Sequence, residues 1–554
     1  MKKITPEWLH RLGLLFLLQL LFSSSVFSQG FSPAVQNRLQ YIIDSFQNNP
    51  ANPFVGGIAV AINVDGLALW QGSTGYAARN IDAQNNLLPG GTLFTKNMLS
   101  RIYSVTKTFT AALVLELARE GSLNLDAPVS NYIPLQLINP GLNSSVTIRQ
   151  LLAHESGYSD YTDEYMLQVS VAFQPARVWN AFETISFCHQ INVPGAERQY
   201  SSTNYIMLGA IIETVTGKPM EQHYRERFFD KLGFTSMYLG GRESQNGHGE
   251  LAAPHDNLSM FNPVFQMTGQ PTFPDAYTNI TRFPLDAIVS LAFSGGGIVS
   301  NAADLAEWGN ALFGGRATSA STLQAMVNSI PATSDEDGDY LGYGIWTNKK
   351  ISTTDYFVGH NGSAIGYRSL MMYQPDRKMT IALVTNYAGC NPYLIEKALY
   401  EALPNFICGN DNRKEWKILL CYKGKDICVA REAAPVHINK GAYLGSCSME
   451  LPAVQTSGTN SSIDQTNEET AFTAYPNPFS NQVTIQLKAS KSGVVSLNLY
   501  DLNGKLVKHL FTGNMQEGTM KQVILQSNGL PAGTYICRLQ TNAGISNRRL
   551  ILNK

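Results

Sequence analysis

Two apolar runs in VGGIAVAINVDGLALWQGSTGYA (residues 55–77) meet at Asp65-Gly66. Strand-forming residues on both sides of an Asp-Gly pair predict a β-hairpin. TDYFVGHNGSAIGYRSLMMYQPDRKMTIALVTNYAG (354–389) predicts three further strands, with QPDRK as a turn. The roughly 280 residues between these stretches mostly follow helical periodicity, notably over 104–120, 147–153, 203–216 and 301–313. An α+β architecture accounts for this economically: one antiparallel sheet drawn from both ends of a domain, with a helical subdomain inserted between them. A cleft should form where the two meet, and such clefts hold active sites.

The pattern changes twice more. Residues 406–451 contain Cys408, Cys421, Cys428 and Cys447, and the sequence offers no mechanistic account of this extension. Residues 452–472, PAVQTSGTNSSIDQTNEETAF, are polar and without periodicity, which reads as a linker. From 473 to 554 short alternating runs are broken by Asn-Pro, Asn-Gly and Pro-Ala-Gly, predicting a small all-β sandwich of about seven strands. The main domain then occupies 30–405.

Composition adds two constraints. At 554 residues, 44% hydrophobic, 15% charged and a formal net charge of −1, the chain is a multidomain globular protein with no electrostatic signature of nucleic-acid binding. Residues 1–28 have basic residues, then an apolar run from Leu12 to Phe22, then small residues ending at Val26-Phe27-Ser28. This is the pattern of a secretory signal peptide, and the apolar run is too short to span a bilayer. No transmembrane segment is expected in the mature chain. Seven cysteines, four of them clustered, fit an oxidising compartment with one or two local disulfides. They lack zinc-ligand spacing.

The candidate chemistry lies in SVTK (104–107), at the start of the predicted helix 104–120. Ser104 reads equally as an N-cap or as a nucleophile. If the helix opens at Ser104, Lys107 lies one turn on, on the same face. The helix N-terminus offers exposed N–H groups beside the hydroxyl, and a desolvated lysine there would have a lowered pKa and accept the serine proton. His154 with Glu155 reads as framework, since adjacent positions at a helix end do not face one site. SGGGIVS (294–300) lacks the lysine of a phosphate loop and reads as close packing near the cleft. Asp160, Asp163 and Glu164 have no ligand spacing, and no metal or cofactor is expected.

Tyr200 in ERQYSSTNY and His360-Asn361-Gly362 in GHNGSAIGYRS follow SVTK in an order that resembles the serine β-lactamase and penicillin-binding-protein superfamily, in particular its class C-like branch. VTIRQLLAHESGY, LGFTSMYLG, SGGGIVSNAADLAEWGNAL and LGYGIW extend the resemblance over about 35–400. The resemblance implies a β-lactamase/transpeptidase-like fold. In it Ser104 is the nucleophile, Lys107 its base or proton relay, Tyr200 a proton shuttle and His360 the start of the third motif. The N–H groups of Ser104 and Ser363 would hold the oxyanion, and Gly362 would let the substrate approach closely. Ser202 stands where the family usually has Asn, with Asn204 two positions on as a possible replacement in substrate binding. His360 replaces a lysine that would hold a carboxylate, which disfavours efficient β-lactam hydrolysis. The implied activity is hydrolysis of ester or D-amino-acid-peptide-like amide substrates through a serine acyl-enzyme. The alternatives are a D-alanyl-D-alanine carboxypeptidase, a weak β-lactamase, and an inactive surface-binding homologue. The tail resembles the C-terminal sorting domain of type IX secretion cargo, carried by YPNPF (475–479), LYDLNGKLV (499–507), LPAGTYICRL (530–539) and Arg548, Arg549 and Lys554. It implies the type IX machinery as a partner of residues 473–554, and a secreted or outer-surface protein exported through the periplasm.

Overall fold

The computed structural model describes residues 30–48, 54–334, 339–410, 416–448 and 472–475, and 479–552 with short interruptions at 489–491, 501–505, 518, 532 and 542–543. The signal peptide expected over 1–28 lies outside the described residues, as does the linker expected over 452–472 except for its last residue. The chain divides into two units, Met1–Val454 and Gln455–Lys554.

The first unit is built on an eight-stranded antiparallel sheet. After helix α1 (Pro33–Gln47) come β1 (Gly57–Val64), β2 (Ala68–Ile81) and β3 (Leu87–Leu93). The remaining strands arrive some 250 residues later: β4 (Tyr340–Leu341), β5 (Trp346–Thr347), β6 (Val358–Ala364), β7 (Tyr367–Gln374) and β8 (Met379–Thr385). Their order across the sheet is β3-β2-β1-β8-β7-β6-β5-β4. The two ends of the domain meet where β1 pairs with β8, Val60 opposite Leu383. Asp65 and Gly66 turn the first hairpin, with Gly66 at φ +69°, where a side chain would be strained.

β1 is buried along nearly its whole length because both faces of the sheet are covered. Alternation then sorts its side chains. Ala59 and Ala61 join the core that contains Phe109, Trp308 and Val384, and Ile58, Val60, Ile62 and Val64 join the core on the opposite face. The first core takes in five of the inserted helices, α2 (Thr106–Arg119), α3 (Ile148–Leu152), α5 (Ser202–Thr216), α7 (Asp286–Gly296) and α8 (Ala302–Phe313), while α4 (Tyr165–Phe173) and α6 (Asn262–Thr268) carry smaller apolar clusters of their own. α2 is buried on every side from Thr106 to Leu117, as expected of a helix at the centre of a domain rather than on its surface. Phe109 stacks on Trp308 at 3.8 Å between centroids, and Trp308 Nε1 donates to Thr108 Oγ1 at 2.8 Å.

On the far face, α1 and α9 (Pro392–Ala402) pack against the sheet through Val35, Leu39, Ile43, Ile395 and Leu399. The extension continues this layer. β9 (Ile407–Asn410), β10 (Trp416–Tyr422), β11 (Lys425–Val429) and β12 (Tyr443–Leu444) form a small sheet closed by disulfides Cys408–Cys428 and Cys421–Cys447. Ile418, Leu420 and Leu444 enter the same core, so the extension is a cross-linked cap on the sheet face opposite α2. Among the described residues the second unit has seven strands in two sheets. β13 (Phe472–Tyr475), β14 (Gln482–Lys488) and β17 (Met520–Gln526) form one; β15 (Gly493–Tyr500), β16 (Leu506–Met515), β18 (Gly533–Thr541) and β19 (Gly544–Leu552) form the other. Val483, Ile485, Val495, Leu497 and Leu550 lie in its core. Among the described residues no helix is long and apolar enough to cross a membrane.

Candidate active site

Ser104 does not cap the helix. It sits within a 3₁₀ turn, Tyr103–Val105, that runs straight into α2. A capping residue needs an extended backbone, but Ile102 (φ −90°, ψ −3°) and Val105 (φ −58°, ψ −24°) are both helical, and neither makes a side-chain cap bond. The turn carries strain instead: Tyr103 has φ +42°, a conformation that costs about 1–3 kcal/mol in a bulky residue. The Tyr103 hydroxyl donates to the Ile365 carbonyl at 2.9 Å, which holds the turn against the β6–β7 hairpin.

Freed from capping, the Ser104 Oγ accepts from Lys107 Nζ at 3.0 Å. Lys107 is completely buried. Its Nζ also donates to the Gly295 carbonyl at 2.7 Å and reaches Ser202 Oγ at 3.4 Å. Among the described residues no carboxylate touches it, so desolvation dominates and lowers its pKa to about 7, partly offset by the charge of Asp160. The uncharged amine is therefore accessible beside the serine hydroxyl at neutral pH.

Tyr200 completes the cluster. Burial raises its pKa above the ordinary tyrosine value, an effect that the hydroxyls of Ser104 and Ser202 beside it partly offset. Lys107 Nζ lies 5.0 Å from the Tyr200 ring centroid. The loop carrying Tyr200 is fixed from behind by the residues read as framework. The His154 ring stacks on Tyr200 at 4.6 Å, and its Nδ1 accepts from the Ser201 N–H at 3.1 Å. Glu155 pairs with Arg198, Nε to Oε1 2.6 Å. Burial, with a smaller contribution from Lys107, holds His154 well below its ordinary pKa and so neutral.

His360 is buried and stacks on Trp346 at 4.2 Å, with its ring 6.3 Å from that of Tyr200. Its Nδ1 lies 2.6 Å from the Asn361 carbonyl, which assigns Nδ1 as the protonated nitrogen. Burial, then Lys107, lowers its pKa to about 3, so this position supplies no positive charge at pH 7. Gly362 has a packing reason besides the expected one. A Cβ there would lie 2.0 Å from the Ile102 carbonyl oxygen and 2.5 Å from Ser369 Oγ. Glycine is needed for β6 to pack on the chain entering the serine turn. Ser363 is exposed on the same strand, at the cavity wall.

Asn204, expected as a substrate contact, points away from the site. It is fully buried, accepts from Ser156 Oγ at 2.6 Å and has its Nδ2 3.5 Å from His154 Nδ1. Two residues along a helix is about 200° of rotation, so 202 and 204 face opposite sides. Ser202 alone faces Lys107. Asp160 was missed by reasoning from spacing. Its Oδ1 accepts from the Thr162 N–H and its Oδ2 from the Ser202 N–H at 2.8 Å, anchoring the start of α5. The Asx-turn signal of Asp160-Tyr161-Thr162 marks it, though only the fold shows what it anchors. Among the described residues no group of three His, Cys, Asp or Glu side chains is disposed to hold a metal ion.

A cavity of about 350 Å³ opens beside Ser104. Its walls come from the serine turn, the 295–296 backbone, the tip of the β6–β7 hairpin, and α4, α6 and α7.

The family described as "Beta-lactamase" matches residues 44–405, and "Secretion system C-terminal sorting domain" matches residues 473–553. "Protein flp" of Staphylococcus aureus (strain MRSA252) is 26% identical over 293 residues, 51% of this chain and 52% of that protein. The human "Serine beta-lactamase-like protein LACTB, mitochondrial" is 22% identical over 406 residues, 58% of this chain and 69% of that one. The chain thus spans about half the length of the curated Staphylococcus relatives it matches. Among solved structures, the D-amino acid amidase from Ochrobactrum anthropi SV3 complexed with D-phenylalanine aligns with TM-score 0.54 and 25% identity over 66% of this chain and 98% of its own. The octameric penicillin-binding protein homologue from Pyrococcus abyssi shares the fold at TM-score 0.51 and 18% identity, over 94% of this chain and 96% of its own. With the family match spanning most of the chain and the serine–lysine–tyrosine cluster assembled at its cleft, this protein belongs to the beta-lactamase family and ends in a type IX secretion sorting domain that marks it for export to the cell surface or beyond.

Proposed function

We propose that this chain is an exported serine hydrolase that cleaves esters or amides through an acyl-enzyme on Ser104. The observation that carries the reading is the 3.0 Å contact between Ser104 Oγ and a fully buried Lys107 whose pKa is about 7. A carbonyl oxygen only accepts, so Lys107 must donate an N–H to Gly295. Its lone pair is then free to turn to Ser104 when the amine is neutral. Ser104 Oγ attacks the substrate carbonyl carbon as its proton passes to Lys107 Nζ. The oxyanion is stabilised by the N–H groups of Ser104 and Ser363. Among the described residues β5 pairs with β6 only at Trp346–Gly359, and the outer edge of β6 beyond Gly359 has no strand partner. Alternation from the Ala364–Tyr367 hairpin closure turns the Ser363 N–H toward that edge. Tyr200 then delivers a proton to the leaving oxygen or nitrogen and is reprotonated from Lys107. Water repeats the sequence on the acyl-enzyme, releasing the acid and restoring Ser104.

Neutral His360 favours substrates without a carboxylate at that position over β-lactams and peptide C-termini. The test is covalent labelling. A fluorophosphonate should label the wild type and not Ser104→Ala, while a fluorescent penicillin should label weakly or not at all. A folded wild type that resists the fluorophosphonate overturns the reading.

A further inference from the structure

The cavity beside Ser104 is unlike its polar threshold. None of its lining side chains is charged, and its depth is formed by aliphatic and aromatic groups, among them Leu167, Val171, Phe265, Phe283, Ile288 and Leu291. These come from two apolar clusters separate from the main core. One joins Leu167, Val171 and Leu291 with Trp179; the other joins Phe265 and Phe283 with Leu258 and Phe273. On α4, Leu167 and Val171 are four residues apart, as are Phe261 and Phe265 leading into α6, so each element turns one apolar stripe toward the same space.

The position of the cavity relative to the proton-handling groups decides which half of a substrate it takes. Tyr200, Lys107, His360 and Trp346 are absent from its lining, whereas Tyr103, Ser104, Gly295 and the hairpin residues Ser363, Ala364 and Ile365 form its mouth. A leaving group must lie against Tyr200. The acyl part, bonded to the same carbonyl carbon, then extends to the other side of Ser104, into the cavity.

Resting on the acyl-enzyme reading above, we propose that the cavity is an acyl-group pocket selecting uncharged, apolar acyl chains or rings. The preferred substrates are then esters or amides of hydrophobic carboxylic acids. A charge on the acyl part, carboxylate or ammonium, would be buried there without a counter-charge, which is strongly unfavourable. An unprotected amino-acid amide, whose ammonium belongs to the acyl half, is excluded by the same rule, while the same amide with its amine acylated is admitted.

The test uses 4-nitrophenyl esters of increasing chain length with the mature full-length protein. From acetate upward, kcat/KM should rise about fourfold per methylene, the equivalent of ~0.8 kcal/mol, until the cavity is filled. The adipic acid monoester and the 6-aminohexanoate ester, matched in length to hexanoate but charged at the far end, should be at least a hundredfold poorer than hexanoate. Ile288→Trp, at a half-buried wall position, should lower the octanoate-to-acetate ratio of kcat/KM at least tenfold. Acetate turnover in that variant reports that it has folded, and if it has not, the wild-type series decides alone. Acetate turnover that survives Ser104→Ala would overturn the acyl-enzyme reading itself. Turnover that depends on Ser104 yet is flat with chain length, or equal for charged and neutral hexanoyl esters, would overturn the acyl-pocket proposal and leave the enzyme reading standing.

Discussion

The most informative perturbation of this site is pH. Burial brings Lys107 from its ordinary 10.5 to about 7, a bias against the ammonium of about 5 kcal/mol. The folded-state pKa is depressed and the neutral form is the base, so activity must rise with pH through about 7 and level off above it. The neutral fraction is about 1% at pH 5, about 10% at pH 6 and about half at pH 7, and kcat/KM for an acetyl ester should follow it. The two neighbouring histidines do not contribute this limb, since His154 is held well below its ordinary pKa and His360 at about 3. Tyr200, raised by burial, adds no limb on the alkaline side within the same window. Asp160→Asn supplies the sign check. The carboxylate favours the Lys107 ammonium, so its removal should move the limb to lower pH by about half a unit or more, while Asn can still accept from the Ser202 N–H. The assay is kcat/KM from pH 5 to 9 at constant ionic strength, with the melting temperature followed over the same range. A limb near pH 10, a flat profile between 5 and 8, or an upward shift in Asp160→Asn would refute the desolvated-lysine argument.

Two further substitutions test the packing behind the site. Gly362→Ala sets a Cβ 2.0 Å from the Ile102 carbonyl; moving the serine turn to relieve it should lower kcat/KM about a hundredfold and stability by about 1–3 kcal/mol, and unchanged kinetics would show that the turn is not held there. Asn204→Ala strips the buried Ser156 hydroxyl of its acceptor and should cost about 1–3 kcal/mol in denaturant melts, with the relative kcat/KM among acyl esters unaltered; a change in that selectivity without loss of stability would restore a substrate role for Asn204.

What the sequence determined about this protein is what depends on near neighbours along the chain. Strand-forming runs around the Asp65-Gly66 and QPDRK turns marked β1, β2 and β6–β8, helical period marked α2 and α5, and the three-residue spacing of Ser104 and Lys107 sets both on one side of a helical turn whichever kind of turn it is. Motif order extended this to the family, and the motifs of the tail to export. Tertiary structure decided the properties that depend on what surrounds a group. Whether Lys107 is a base depends on the Gly295 carbonyl and Ser202, brought from about 190 and 95 residues away to a place closed to bulk solvent. Asn204 lost its expected role through the direction in which α5 meets α3 and His154. Gly362 acquired a packing reason from a carbonyl 260 residues earlier in the chain. The apolar cavity is assembled from α4, α6, α7 and the hairpin tip, none of which signals a pocket locally. Desolvation and shape are sums over groups distant in sequence, and no local pattern encodes such sums.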